Sequence, residues 1–503
     1  MKVFRVFLLV TGILCLSSCH KDTSTDLQEG VVKVTRVMVG GVYASLDPLT
    51  STFTATLPAV TDFSSLALDL SSEADVILAG DRELHPTNTG VDMTTPLSVR
   101  FIKDGYYQDF TIIVRNTGLP VVRIDTPGKR AVTSKTTWME GASIRIELPD
   151  GTVDYEGKTE IRGRGNSTWN YPKKPYALRL VEKDEILGMP SHKRWILLAN
   201  WKDRTLLRND AAFWLSRHTG LPYTVRGQFV ELVFNGVHQG NYYLCEQIKL
   251  NKKRINVEKM DAMETDPVKI TGGYLLEVDT YFDEPNRFRF GNLLNIPWMV
   301  KEPDEDELSS AAFDYIKNWI GDLERLVMDD AKIQAHAYEE FLDVDTAIDC
   351  MIVEELTGNH DFYNNWPADG AHSTYFYKER GGKLYHGPVW DFDYHVFLPD
   401  RTQFWAGADR TLFYPRLLKD EKFRNRMVER WDMQKDALKK LPEFIDEQAD
   451  RIRLSESYNQ VKWPISNREN GDETMTFQQS VDRIKQAFLD KWEWMDRNIR
   501  NLR

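Results

Sequence analysis

Residues 358–397 read GNHDFYNNWPADGAHSTYFYKERGGKLYHGPVWDFDYHVF, and the reading of the whole chain turns on them. Two alternating aromatic runs, STYFYK and KLYHGPVW, flank ERGG, whose Gly381-Gly382 pair marks a turn between two strands. A hairpin folds its two ends together, so Asp361 before it and Asp391 after it are expected to meet at one end. Asp393, Asn359, Asn364, Asn365, His360 and His395 stand close by. Asp and Asn also gather at turns for turn geometry alone. The alternative is chemical: phosphoryl transfer needs one carboxylate beside the nucleophile, and further carboxylate and amide oxygens to hold the magnesium that bridges the phosphates. Mg²⁺ takes oxygen ligands, usually one or two carboxylates completed by water and phosphate. An Asp-x-x-Asn loop followed by Asp-x-Asp at a strand end supplies that set.

Upstream, Asp343 or Asp345 starts a helix with Ile348, Met351, Ile352 and Leu356 on one face. Gly358 stops it and delivers Asn359-His360-Asp361 into the loop. Downstream, the chain is irregular to about Asp409, with aromatic residues from Phe397 to Trp405 that read as exposed. Helices follow at 421–441, 442–455 and 477–502. The last carries Phe477, Val481, Ile484, Phe488, Trp492, Met495 and Ile499 at helical spacing, a stripe that reads as core.

Further upstream the pattern is strands. A strand over Lys158–Arg162 enters a glycine-rich turn, Gly163, Gly165, Asn166, Ser167 and Thr168, and a second strand leaves over Tyr176–Leu180 after Lys173-Lys174. Glycines let backbone N–H groups approach an anion, and a lysine nearby neutralises phosphate. Most glycine-rich turns are only turns. A helix from Asp203 or Thr205 to about His218 comes next, then a hairpin around Asn235-Gly236 whose second strand ends at Glu246. Glu246 reads either as a surface strand residue or as a partner for a phosphate lysine. GGYLLEVDTYF adds a strand carrying Glu277 and Asp279.

At 503 residues the chain exceeds one ordinary core, and 42% hydrophobic with 12% aromatic residues describes globular protein. A net charge of −12 argues against nucleic acid as a partner. Residues 1–19 read as a lipoprotein signal: Lys2 and Arg5, a short apolar run, then Leu16-Ser17-Ser18-Cys19, a lipobox in which Cys19 is lipidated. Residues 20–30 read as a polar tether, 31–117 as a β-sandwich of immunoglobulin-like type, and 121–503 as the large domain. Asn116–Pro120 reads as the linker between them. The expected location is the cell envelope, lipid-anchored at the outer membrane. Cys245 and Cys350 are expected to be buried free thiols, and no Cys or His spacing suggests zinc.

Several of these blocks together resemble the CotH kinase family: GRGNSTWNYPKKPYALRL, LGMPSHKRWILLANWKDRTLLRN, FVELVFNGVHQGNYYLCEQIK, GGYLLEVD and GPVWDFDYHVF, in that order between Val121 and Phe397. The resemblance implies an α+β, two-lobed, atypical protein-kinase-like domain that uses ATP and Mg²⁺ and phosphorylates protein hydroxyls on an unknown acceptor. It implies that Gly163, Gly165, Asn166 and Ser167 cover the phosphates and that Lys174 or its neighbour Lys173 contacts them. It further implies that Asp361 orients the attacking hydroxyl and that Asp391 holds metal with Asp393 nearby. Ordinary kinase H-R-D and D-F-G text is absent. Many family members place Asn ahead of the Tyr-x-Tyr strand; here Ser373-Thr374 stand there, and Asn364 or Asn365 is the candidate metal oxygen. Glu246 and Asp210 are the candidates for the acid that pairs with the phosphate lysine. The rival expectation is a surface lipoprotein without catalysis that binds glycan or protein through the aromatic loop and the sandwich. A coat-like scaffold is a third.

Overall fold

The computed structural model describes residues 27–303, 307–359, 361–362, 372–400, 402–407, 411–464 and 470–501. Cys19, His360, Asn364 and Asn365 lie outside them. Near the N-terminus two sheets face each other. Strands Val34–Val39, Val42–Tyr43, Leu66–Ser72 and Thr87–Val91 make one, and a seven-stranded sheet that includes Thr52–Leu57, Leu97–Lys103 and Tyr106–Asn116 makes the other. Alternate side chains point inward, so Val37, Val39 and Leu68 pack with Phe53, Phe101 and Ile112. The expected tether ends inside this sheet, since Gln28–Glu29 pairs in parallel with Tyr106 and Tyr107. The expected linker is packed as well: Thr117 and Leu119 are buried.

A closed seven-stranded barrel follows. Strands Val121–Asp125, Met139–Glu147, Val153–Gly163, Tyr176–Ile186 and Met189–Leu198 are successive antiparallel neighbours. Val237–Glu246 and then Gly227–Phe234 close the ring in parallel onto the first strand. Ile144, Ile146, Leu178, Trp195, Leu232 and Leu244 fill it. Asn235 and Gly236 have φ of 52° and 81°, the pair of positive angles that a two-residue type I′ turn requires.

Among the described residues, the rest of the chain builds a five-stranded sheet and eight α-helices around one continuous apolar core. Tyr274–Val278 is the middle strand, with Trp298–Glu302 and then Arg287–Phe288 on one side and Thr374–Lys378 and then Leu384–His386 on the other. The last two are the expected hairpin, paired Phe376 with His386 and Lys378 with Leu384. The helices are α1 Arg208–Arg217, α2 Ser310–Val327, α3 Asp330–Gln334, α4 Val344–Thr357, α5 Tyr414–Leu417, α6 Glu421–Leu438, α7 Leu441–Lys462 and α8 Phe477–Asn498. The chain is therefore α+β. Among the described residues no helix is long and apolar enough to cross a membrane. Cys245 and Cys350 are buried free thiols.

α4 has the expected ends: the Asp343 carboxylate accepts from Thr346 N, and Gly358 closes the helix at φ 61°. α1 starts later than expected. The Asp203 carboxylate takes the N–H and hydroxyl of Thr205 at 2.8 and 2.7 Å, and Leu206 sits at φ 63°, so a local turn wins over helix until Arg208. α7 runs past the expected stop at Ser455 because Tyr458 packs into the sandwich core and its hydroxyl donates to His238 O at 3.2 Å. The aromatic loop is a correction. Phe397 is 2% exposed, and Phe404 and Trp405 pack against the main core, so these rings are not an open recognition surface.

Glu324 of α2 gives the core a pH dependence. It is buried, accepts from Trp298 Nε1 at 2.9 Å and Leu294 N at 3.1 Å, and burial pushes its carboxyl up to about 7 from an ordinary 4.5. The folded state therefore holds a proton that the unfolded state releases, and stability falls as pH rises through that window. Glu324→Gln removes the effect. The stability difference between the variant and the unsubstituted protein should move in the variant's favour by on the order of 1–3 kcal/mol between pH 5 and pH 8, read by denaturant melts.

Candidate functional site

A cleft of about 1050 Å³ opens between the barrel and the five-stranded sheet. One wall comes from barrel strands Val153–Gly163, Tyr176–Ile186 and Met189–Leu198. The other comes from Tyr274–Val278, Trp298–Glu302 and the start of the hairpin. Asp279, Asp361, Asp391 and Asp393 all line it.

The hairpin brings the first acids together as expected. His372 N donates to Asp361 O at 3.0 Å, and Ser373 Oγ donates to Asp391 Oδ2 at 3.0 Å, so adjacent residues at the hairpin entrance touch both. Asp279 was not anticipated as a member. It follows strand Tyr274–Val278, whose last residue pairs with Thr374, and this register sets Asp279 against Ser373 N at 3.1 Å. His372 Nδ1 lies 3.2 Å from Asp279 Oδ1. The sequence signal was present in LLEVD, where Glu277 and Asp279 share one face of a strand. Of the Ser373-Thr374 pair ahead of the Tyr375-Phe376-Tyr377 run, Ser373 is the residue whose hydroxyl meets Asp391.

Three of these carboxyls are harder to ionise than usual. Burial, then the charge of Asp391, pushes Asp361 up to about 7. Burial, then Asp391 and Asp203, pushes Asp393 up to about 8. Burial raises Asp391 as well, against the pull of Arg164 and the Ser373 hydrogen bond. Like charges held together in a buried place call for a cation. Among the described residues no three His, Cys, Asp or Glu side chains close on a common point at metal-ligand distance. The donor chemistry nonetheless fits Mg²⁺, which is content with one or two carboxylates when water and phosphate oxygens complete its shell.

The Asp391 turn is held from beneath. Asp391 has φ 72°, a conformation that costs a non-glycine residue free energy and persists where its surroundings enforce it. Phe392 N donates to Asn209 Oδ1 of α1 at 2.8 Å, and Asn470 Nδ2 donates to Asp393 O at 3.0 Å. Trp390 stacks on Phe213 of α1.

The glycine-rich turn lines the cleft, as expected for Gly163, Gly165, Asn166 and Ser167. Its glycines also answer to packing. A Cβ on Gly163 would sit 2.4 Å from the Trp169 ring, and one on Gly165 would sit 2.0 Å from Thr168 Oγ1. Lys135 Nζ donates to Asn166 Oδ1 at 2.7 Å and ties the turn to the segment before the second barrel strand.

The two lysines need correcting. Lys173 is 1% exposed, and its ammonium donates to Ala199 O at 2.7 Å and to Asn241 O; burial lowers it to about 7. Lys174 Nζ donates to Trp169 O at 2.7 Å. Both are bound to backbone carbonyls rather than offered to a ligand. Glu246 is a correction too. It takes Arg226 Nη2 at 2.8 Å, Arg226 Nε at 2.9 Å and the Tyr223 hydroxyl at 3.0 Å, and among the described residues its ion pairs are with Arg226 and Arg254. Asp210 accepts the Tyr243 hydroxyl at 2.8 Å and does not take that role either. On the cleft wall Lys301 lies 3.0 Å from Glu277 and also bonds Glu284, and Lys249 lies 3.5 Å from Glu302. Arg164 and Lys202 bring positive charge to the acidic end, Lys202 acting on Asp361 and Asp393. Arg164 lies over the Trp390 ring at 5.2 Å, and its charge reaches Asp391.

The cleft thus brings together an acidic floor at a strand-and-hairpin junction, a glycine-rich turn and a basic wall. The chain belongs to the CotH kinase protein family, which it matches over residues 161–495. The match takes in the barrel from the end of its third strand onward, the acidic cluster and most of α8. No individual curated protein matches it.

Lys173→Met separates a structural lysine from a ligand-binding one. Removing the ammonium shared by two buried carbonyls should cost about 1–3 kcal/mol and lower the melting temperature. The rise in melting temperature produced by Mg-ATP should survive at equal size in Lys173→Met and in Lys174→Ala.

Proposed function

We propose that the chain is an atypical protein kinase that transfers phosphate from Mg-ATP to a protein hydroxyl. One observation carries this reading: Asp361 and Asp391, on either side of the hairpin, come together at its entrance in a half-buried acidic cluster that faces a basic wall. Membership of the CotH kinase family supports it.

Each residue has a part that follows from its place. Asp391, with Asp393 beside it, holds the metal, and Ser373 and Asp279 fix the Asp391 carboxylate through the Ser373 hydroxyl. A Mg²⁺ ion held by Asp391 and Asp393 would supply positive charge against the phosphates. Asp361 accepts a hydrogen bond from the acceptor hydroxyl, orients it and takes its proton; a carboxyl raised to about 7 is a fitting base near neutral pH. Arg164 lies next to the acids and offsets phosphate charge in place of the two lysines, whose ammonium groups serve backbone carbonyls. The wall of the five-stranded sheet is kept rigid by Lys301 between Glu277 and Glu284. Anchoring through a lipid on Cys19 at the outer membrane is part of the same proposal and rests on the lipobox.

The test is transfer of radiolabelled phosphate from ATP to the chain itself and to added protein, alongside melting curves with and without Mg-ATP. The unsubstituted protein should be stabilised and incorporate label. Asp391→Ala should melt normally without ligand and lose at least about 10²-fold in transfer rate, the scale of removing one transition-state contact. Equal incorporation in Asp391→Ala would reject the assignment.

A further inference from the structure

Three asparagines join the loop that leaves the barrel to the turn that carries the acids. Asn200, Asn209 and Asn470 are 4, 3 and 2% exposed. Phe392 N donates to Asn209 Oδ1 at 2.8 Å, Asn209 Nδ2 donates to Asn200 Oδ1 at 3.0 Å, and Asn200 Nδ2 donates to Leu206 O at 3.1 Å. The direction of this chain is fixed at both ends. A backbone N–H only donates and a backbone carbonyl only accepts, so neither amide can turn over without setting like groups face to face. Asn470 makes a second link. Its Oδ1 takes His395 N at 2.7 Å, and its Nδ2 donates to Lys202 O at 2.9 Å and to Asp393 O at 3.0 Å. Phe392, Asp393 and His395 are thus each tied to residues 200–206.

The residue type suits the place. Asn200 and Asn209 line the cleft together with Asp391 and Asp393. An amide supplies a donor and an acceptor at once and carries no charge. An aspartate there would add to acids whose ionisation is already opposed by burial and by one another, and a lysine would compete with a bound cation. Asp391 needs such a hold, because its φ of 72° persists only where the surroundings enforce it. Asn200 has a φ of 46°, a conformation that asparagine adopts more readily than most side chains.

We propose that Asn200, Asn209 and Asn470 are positioning residues for the metal: a neutral clamp that sets the place of Asp391 and Asp393 and, through them, the affinity of the site for a divalent cation. Removing a group that orients a metal ligand costs about 10- to 100-fold in affinity. The inference rests on the assignment of the metal to Asp391, and cation binding tests it without turnover.

The experiment titrates the full chain with Mn²⁺, a paramagnetic stand-in for Mg²⁺, and follows the resonance signal of the free ion, alongside melting curves without metal. Asn209→Ala and Asn470→Ala should each weaken Mn²⁺ binding by about tenfold or more. Asn200 reaches the turn through Asn209, so the double variant Asn200→Ala/Asn209→Ala should bind Mn²⁺ as weakly as Asn209→Ala and no weaker. Should Asn209→Ala fail to fold, Asn470→Ala and Asn200→Ala, both outside the helices, carry the test. Mn²⁺ affinity that is unchanged in the asparagine variants but lost in Asp391→Asn would keep the metal assignment and overturn the clamp, even where the melting temperature falls. Losses that multiply in the double variant would overturn the link through Asn209. A chain that takes no Mn²⁺ at all would overturn the metal assignment and the clamp together.

Discussion

Arg208 is the residue on which the arrangement of the site depends. It is fully buried at the start of α1, and its guanidinium bonds Asp203, Asp472 Oδ2 at 2.6 Å and Val396 O at 3.2 Å. These partners come from the loop leaving the barrel, the segment before α8, and the stretch that follows Asp393. One buried cation thus joins three distant parts of the chain beneath the acidic cluster. Buried charges are tolerated when they are paired and hydrogen-bonded on every side, and breaking such a set by removing one member is strongly destabilising. Asn209, next in sequence, holds Phe392 N, and Asn470 holds Asp393 O, so the strained turn at Asp391 is enforced by groups that Arg208 keeps in register.

This foundation explains the electrostatics above it. The acids are not relieved by the lysines closest in sequence to the glycine-rich turn, since Lys173 and Lys174 are spent on carbonyls within the barrel. Their opposing charge comes from Arg164, Lys202 and His372. The cleft is therefore polar along its length, acidic where the hairpin enters and basic where the barrel faces it.

The elements legible in the sequence are those fixed by local chemistry. Gly381-Gly382 between aromatic runs marks a hairpin, Asn235-Gly236 another, and Asp343 with Gly358 bounds α4. The meeting of Asp361 and Asp391 follows from the first hairpin alone, and the buried stripe of α8 from its period. What stayed hidden depends on partners remote in sequence. Lys173 reads as a phosphate lysine until the barrel closes and places Ala199 O and Asn241 O around it. Glu246 reads as a lysine's partner until Arg226 is found on it. Phe397 reads as exposed until the core behind α4 closes over it. Asp279 required knowing which strands are neighbours, and in what register, which alternation alone does not give.

The central claim is that Asp391 and its neighbours bind ATP through a divalent cation. Calorimetric titration of ATP into the protein, with and without Mg²⁺ and in Asp391→Asn as well, tests it most directly. The account predicts affinity that depends on Mg²⁺ in the unsubstituted protein and a Mg²⁺ dependence that disappears in the variant. ATP binding of equal strength with and without Mg²⁺, unchanged by Asp391→Asn, would contradict it.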